Sequence, residues 1–231
     1  MLYAVSRPKN WNEVQNMKCD KKMMLLYAVT DRTWTQNISL YEKVEAALQN
    51  GVTCVQLREK ELDDDAFLKE AAEIGRLCRE YHVPFIINDN VDIAVKCGAD
   101  GIHVGQQDMV AADVRRRVGD DMIIGVSAHT VEEALEAVKN GADYLGLGAV
   151  FNTATKLDAD NMSAKMLREI CDAIDVPTVA IGGISKKNIM QLSGSGVDGV
   201  AVVSAIFSSE DPGAAAAELL SLAKDMVGSQ S

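Results

Sequence analysis

Apolar residues along the chain gather in eight short runs. They are LLYAVTD (25–31), TCVQLRE (53–59), PFIIND (84–89), GIHVG (101–105), IIGVSAH (123–129), YLGLGAVF (144–151), PTVAIGG (177–183) and GVAVVSAI (199–206). Each is too short for a stable helix and is apolar at consecutive positions, as in parallel strands covered on both faces. Between the runs the apolar residues follow helical spacing, in LYEKVEAALQN, DDAFLKEAAEIGRLCREY, TVEEALEAVKNGA, SAKMLREICDAI and GAAAAELLSLAKDMV. Gly51, Gly98 and Gly141 follow such stretches, where glycine readily takes the left-handed conformation that ends a helix. The unit of strand, loop and helix recurs about every 25 residues.

Eight such units close most naturally into a (β/α)8 TIM barrel. An open doubly wound sheet is the rival arrangement, but no G-x-G-x-x-G follows the first strand. The pattern predicts a single barrel domain over 24–231, preceded by an N-terminal extension, 1–23. No linker rich in proline, glycine or serine divides it.

Composition narrows the function. The 231 residues include 34 acidic and 23 basic ones, a formal net charge of −11. That balance argues against nucleic acid or an anionic membrane as a general partner, because both need basic surface. An anion would have to bind in a local positive pocket. The five cysteines, Cys19, Cys54, Cys78, Cys97 and Cys171, lack CxxC spacing and read as reduced thiols of a cytoplasmic protein. His82, His103 and His129 lack metal-ligand spacing, and at least two are expected to serve packing or local hydrogen bonds. The sequence holds no 18-residue apolar run and no signal-peptide pattern. Nothing in the pattern sets a homo-oligomeric state.

In a barrel of this kind the chemistry lies at the C-terminal strand ends. The second run ends in QLREK, where Gln56, Arg58 and Lys60 alternate and, in extended chain, share a side. A surface charge cluster with Glu59 and Glu61 would explain them too, but an arginine leaving an apolar strand points to anion binding. The third run ends in Asn88 and Asp89, and the fourth leads to Asp108. Either aspartate could simply cap the following helix. Together, beside Arg58 and Lys60, they fit a Mg²⁺ site next to a polyanion, since Mg²⁺ uses one or two carboxylates plus water and phosphate oxygens.

The fifth run ends at Ser127, a hydroxyl donor or a cap. The sixth passes into NTATK, where Thr153, Thr155 and Lys156 suit an anion or an exposed loop. The seventh and eighth offer Gly182, Gly183 and Ser204, where backbone N–H groups can hold a phosphate. Two anion sites are therefore expected. One is metal-bound and strongly charged near strands two to four; the other is a single phosphate near strands seven and eight.

LYAVTDR, VQLREK, FIINDNVDIA, GIHVGQQDM, IGVSAHTVEEA, FNTATK, AIGGI and GVAVVSAI, in this order, resemble the thiamine phosphate synthase family over residues 25–226. The resemblance implies two phosphorylated small-molecule substrates, a pyrimidinylmethyl diphosphate and a thiazole phosphate, joined with release of diphosphate. It implies that Gln56, Leu57, Arg58, Glu59, Lys60, Asn88, Ser127 and Lys156 hold the pyrimidine diphosphate. Asp89 and Asp108 would bind Mg²⁺. Thr153, Ala154, Thr155, Gly183, Val203 and Ser204 would hold the thiazole phosphate. Arg58, Lys60, Ser127 and Lys156 would be the catalytic group, acting on a diphosphate that departs before the thiazole nitrogen attacks. A related thiazole tautomerase, or a non-catalytic binder on the same fold, is the alternative; neither needs the full diphosphate cradle. Many resembling chains have proline where this one has Ala149 and Asn152, so the loop is expected to be less restrained before binding.

Overall fold

The computed structural model describes residues 19–35, 38–105, 111–151 and 162–228. Eight parallel strands form a closed barrel in sequence order. They are β1 (Leu26–Val29), β2 (Cys54–Leu57), β3 (Phe85–Asn88), β4 (Gly101–Val104), β5 (Ile123–Ala128), β6 (Tyr144–Leu147), β7 (Thr178–Ile181) and β8 (Gly199–Val202). The helices are α1 (Lys21–Met24), α2 (Leu40–Gln49), α3 (Asp64–Glu80), α4 (Val91–Cys97), α5 (Ala111–Val118), α6 (Val131–Lys139), α7 (Ala164–Ala173), α8 (Ser204–Phe207) and α9 (Pro212–Gly228). The expected barrel is therefore present, with one change of unit: the described link from β7 to β8 carries only a 3₁₀ turn, Ile189–Leu192.

Side-chain alternation sorts the strands into two cores. Leu26, Val55, Leu57, Ile87 and Leu145 face outward and pack with the helices. Tyr27, Val29, Cys54, Ile86, Ile123 and Tyr144 turn into the barrel. Each large apolar side chain so buried contributes about 1.5–3 kcal/mol. Helix starts are fixed by side-chain caps. Ser39 and Glu42 form a reciprocal capping box on α2, and Asp63, Thr130 and Ser163 cap α3, α6 and α7.

The sequence repeats CGAD, NGAD and GVD have a structural purpose at the N-terminal rim. Asp100 Oδ2 accepts from Phe85 N at 2.9 Å, Asp143 Oδ2 from Ile124 N at 2.8 Å, and Asp198 Oδ2 from Thr178 N at 2.9 Å. Each aspartate precedes one strand and ties down the start of a neighbouring strand. The same rim is closed by α1. Cys19 and Met24 are buried in the interior cluster, and Thr53 Oγ1 donates to Met23 O at 3.0 Å. The last residues of the supposed extension thus belong to the barrel body.

Two apolar runs end earlier as strands than their composition suggests. The run Leu145–Phe151 was expected to be one buried strand, but β6 stops at Leu147. Val150 N and Phe151 N then donate to Ile181 O and Gly182 O, at 3.0 and 3.1 Å, in the loop after β7. Likewise β8 stops at Val202, and Ser204 opens a helix. All five cysteines are free thiols, and burial is the main cause raising each above the ordinary thiol value, Cys78 to about 12. Among the described residues, no helix is long and apolar enough to cross a membrane.

Candidate functional site

The predicted polar residues do collect at the C-terminal ends of β2 to β5. Gln56 is buried, and its Nε2 donates to Tyr27 Oη at 2.9 Å inside the barrel. Leu57 faces the helices and packs in the outer core, so only its backbone lies on the site side. The strand ends there, and Arg58 leaves it with its amide bonded to Thr30 Oγ1 at 3.0 Å. Its guanidinium stands 3.6 Å from Asp31. β2 ends at Leu57, so Arg58 and Lys60 lie beyond the extended strand on which their alternation was expected.

Glu59 has a different occupation. Oε1 accepts from the amides of Lys60 and Glu61 at 2.7 Å and of Leu62 at 3.3 Å, while Oε2 accepts from Arg32 Nε at 2.8 Å. Burial opposes its charge, but the Glu61 amide, the Arg32 guanidinium and the Leu62 amide outweigh it and hold its carboxyl below the ordinary glutamate value. Glu59 thus shapes the loop that presents Arg58 and Lys60.

Lys60 Nζ lies 2.5 Å from Asp89 Oδ2, and Asn88 Nδ2 donates to that same oxygen at 2.6 Å. Asp89 does not cap the next helix. Asn90 takes that task by accepting from Ile93 N at 3.0 Å. Asp89 instead has φ 61°, an uncommon conformation for a residue with a side chain, with its amide donating to His103 O at 2.8 Å. This kink takes the carboxylate off the strand path and towards the lysine from β2. Of the two alternatives open in the sequence, cap or site, the helix cap is excluded, because Asn90 fills it.

Ser127 is not a helix cap either, because Thr130 caps α6. Its Oγ lies 3.0 Å from His103 Nε2; His103 Nδ1 lies 3.0 Å from Tyr144 Oη, which lies 2.8 Å from Tyr27 Oη. With Gln56 this makes a polar chain through the barrel that links β2, β1, β6, β4 and β5. Burial pushes both phenols well above the ordinary tyrosine value, so both stay as O–H groups. Sequence reasoning missed Tyr27, His103 and Tyr144. A signal did exist: a Cβ on Gly125 would lie 2.1 Å from Tyr144 Cζ, and one on Gly146 would lie 3.1 Å from His103 Cε1. Glycine within a strand marks such close approaches.

At β7 and β8 the site is built from backbone. Gly182 and Gly183 have φ 106° and 61°, conformations that L side chains rarely adopt. A Cβ on Gly182 would come within 2.6 Å of Ala149 Cβ, so the loops after β6 and β7 touch there. Asn188 Nδ2 donates to Gly183 O at 2.9 Å and braces the turn. Val203 precedes α8, and Ser204, its first residue, is exposed. Lys43, buried on α2, donates to Phe207 O at 2.6 Å and holds the other end of α8.

Thr153, Ala154, Thr155, Lys156 and Asp108 lie outside the described residues. Among the described residues, no group of three or more His, Cys, Asp or Glu side chains could hold a metal ion. Asp89 fits Mg²⁺, for which one carboxylate completed by substrate oxygens and water is an ordinary arrangement.

A family model described as "Thiamine monophosphate synthase" matches residues 26–206. A thiamine-phosphate synthase of Clostridium acetobutylicum is 47% identical over 185 residues, covering 80% of this chain and 88% of that protein. One from Ruminiclostridium cellulolyticum is 48% identical over 197 residues, covering 85% and 94%. The solved thiamine phosphate pyrophosphorylase of Pyrococcus furiosus superposes with a TM-score of 0.83 at 38% identity, covering 90% of this chain and 99% of that one. The family match spans all eight strands, and the chain belongs to the thiamine monophosphate synthase family.

Proposed function

We propose that this enzyme joins a pyrimidinylmethyl diphosphate to a thiazole phosphate, forming thiamine phosphate and releasing diphosphate. The observation that carries this reading is the 47–48% identity to thiamine-phosphate synthases over four-fifths or more of the chain. The geometry supports it, because Arg58, Lys60 and Ser127 stand at or beyond the ends of β2 and β5, and Gly182, Gly183 and Ser204 just beyond β7 and β8.

In the proposed reaction the bond from the pyrimidinylmethyl carbon to the diphosphate oxygen breaks, and the electron pair leaves with diphosphate. The thiazole nitrogen then supplies its lone pair to that carbon. Negative charge grows on the departing group, and Arg58, Lys60 and Lys156 are placed in sequence to neutralise it, with Ser127 donating a hydrogen bond. Asp89 and Asp108 would hold Mg²⁺, which when bound supplies positive charge to the diphosphate oxygens. Lys60 is half-exposed in its pair with Asp89. Such a pair is worth only about 0.2–1 kcal/mol, so arriving phosphate oxygens can take over the ammonium. Gly183, Val203 and Ser204, with Thr153, Ala154 and Thr155, would hold the thiazole phosphate.

The test mixes purified protein with both half-molecules and Mg²⁺ and measures thiamine phosphate by chromatography. Product is expected. Its absence, with a related synthase active in the same assay and the barrel folded, would sink the reading. A tautomerase or a simple binder would instead bind thiazole phosphate and form no product.

A further inference from the structure

The interior polar chain has a direction, and that direction sets what Ser127 can offer a substrate. Gln56 Nε2 can only donate, so Tyr27 Oη accepts from it. If Tyr27 passes its own hydrogen to Tyr144, and Tyr144, which Gln56 also reaches, passes its hydrogen to His103 Nδ1, every hydroxyl hydrogen meets an oxygen or nitrogen acceptor. His103 then carries its proton on Nε2 and donates to Ser127 Oγ, 3.0 Å away.

The reverse order is less well satisfied. Tyr144 would donate to Tyr27, which would then accept twice and turn its hydrogen to the Cys54 sulfur, a weak acceptor. His103 would carry its proton on Nδ1, and Ser127 would have to donate to Nε2. Chains in which every hydroxyl both accepts and donates also polarise one another favourably.

We propose that His103 is a positioning residue, held as the Nε2–H tautomer by Tyr144 and Tyr27, and that it turns the Ser127 hydroxyl hydrogen outward as a donor to the substrate diphosphate. The consequence is a choice of sign. A diphosphate oxygen only accepts hydrogen bonds, so a Ser127 whose hydrogen is committed to His103 would present lone pairs to an anion. A hydrogen bond to a charged group changes binding or rate on the order of tenfold to a hundredfold. His103 and Tyr144 exert this effect at one remove, from inside the barrel. Gly125 and Gly146 are the strand positions that leave space for their rings.

This inference rests on the proposed synthase reading for the identity of the anion, but its first test does not need activity. The full chain, labelled with ¹⁵N-histidine, is studied by NMR near neutral pH, with the His103 signals assigned by their loss in His103→Gln. Neutral His103 should be protonated on Nε2; a neutral ring protonated mainly on Nδ1 overturns the proposal. In Tyr144→Phe the lost hydroxyl should leave a mixture of tautomers, and an unchanged Nε2–H form would also overturn it.

Kinetics give the second test. His103→Leu and Ser127→Ala should each lower kcat on the order of tenfold to a hundredfold, and the double variant should be little worse than either. His103→Gln places an amide N–H near the Nε2 position and should retain kcat within several-fold, whereas His103→Leu should not. Effects of His103→Leu and Ser127→Ala that simply multiply would refute the coupling. A wild-type protein that makes no thiamine phosphate would sink the synthase reading while the NMR result still stands.

Discussion

The two rims of this barrel use the same residue type in opposite ways. At the N-terminal rim, Asp100, Asp143 and Asp198 each accept from a backbone amide of a neighbouring strand start. At the C-terminal rim, Asp89 is held, among the described residues, by two side chains, Lys60 and Asn88, on a backbone bent to φ 61°. A carboxylate spent on amides is part of the framework. One held by a half-exposed lysine can exchange its partner for a ligand. Position along the strand, more than residue identity, separates stability from chemistry.

Breaking that contrast gives a series of experiments. Asp89→Ala should have the largest effect, lowering kcat on the order of a hundredfold or more, about 3 kcal/mol of transition-state stabilisation. Its thermal midpoint and its binding of thiazole phosphate should barely change; an active Asp89→Ala enzyme would end its proposed metal role. Asp108→Ala is expected to behave alike. Asp143→Ala is the mirror image. It removes the partner of Ile124 N and of Arg115, whose Nη2 lies 2.6 Å away. Urea unfolding should show a loss of about 1–3 kcal/mol, with kcat per folded molecule retained.

Glu59 sharpens the comparison because it is a C-terminal-rim carboxylate used in the N-terminal manner. Its folded-state value lies below the ordinary one, so its stabilisation is complete above the unfolded glutamate value and fades as pH falls through the lower, folded value. Glu59→Gln should therefore cost stability at neutral pH, and the gap to wild type should close in acid. A gap independent of pH would mean that Glu59 acts through shape alone. The smallest effect expected is on the KM for the pyrimidine substrate in this variant, a few-fold at most, through movement of the Arg58–Lys60 loop.

Much of this was legible in the chain. The strands and most of the helices were, because short runs of consecutive apolar residues and helical spacing set the two apart. Arg58, Lys60 and Asp89 stood out as charges at the ends of apolar runs. Less was legible within QLREKE, where adjacent charges look alike. Only the path of the backbone shows that Glu59 turns back to the amides while Lys60 reaches β3. Nor could composition assign the cap between Asp89 and Asn90, since both residue types serve equally well until Asp89 adopts its left-handed angle. Tyr27 and Tyr144 looked like core residues, being aromatics in apolar runs. Their hydroxyls meet across 117 residues of sequence, a pairing no local pattern records. Gly125 and Gly146, read as space left for a ring, were the available clue.

The stopper that α1 forms beneath the strands has a consequence for traffic. With Cys19 and Met24 in the buried cluster that holds Tyr27, the N-terminal end of the barrel is filled by side chains among the described residues. A molecule seated towards Tyr27 and Gln56 would then have to arrive before one that lands above it, and the second would block its return. If the pyrimidine takes the lower berth, product-inhibition patterns should show it entering first, and random entry would mean that the two berths lie side by side. The proposed reaction through a short-lived cation would gain from such a queue, since the acceptor that closes the exit would also be the one waiting to react.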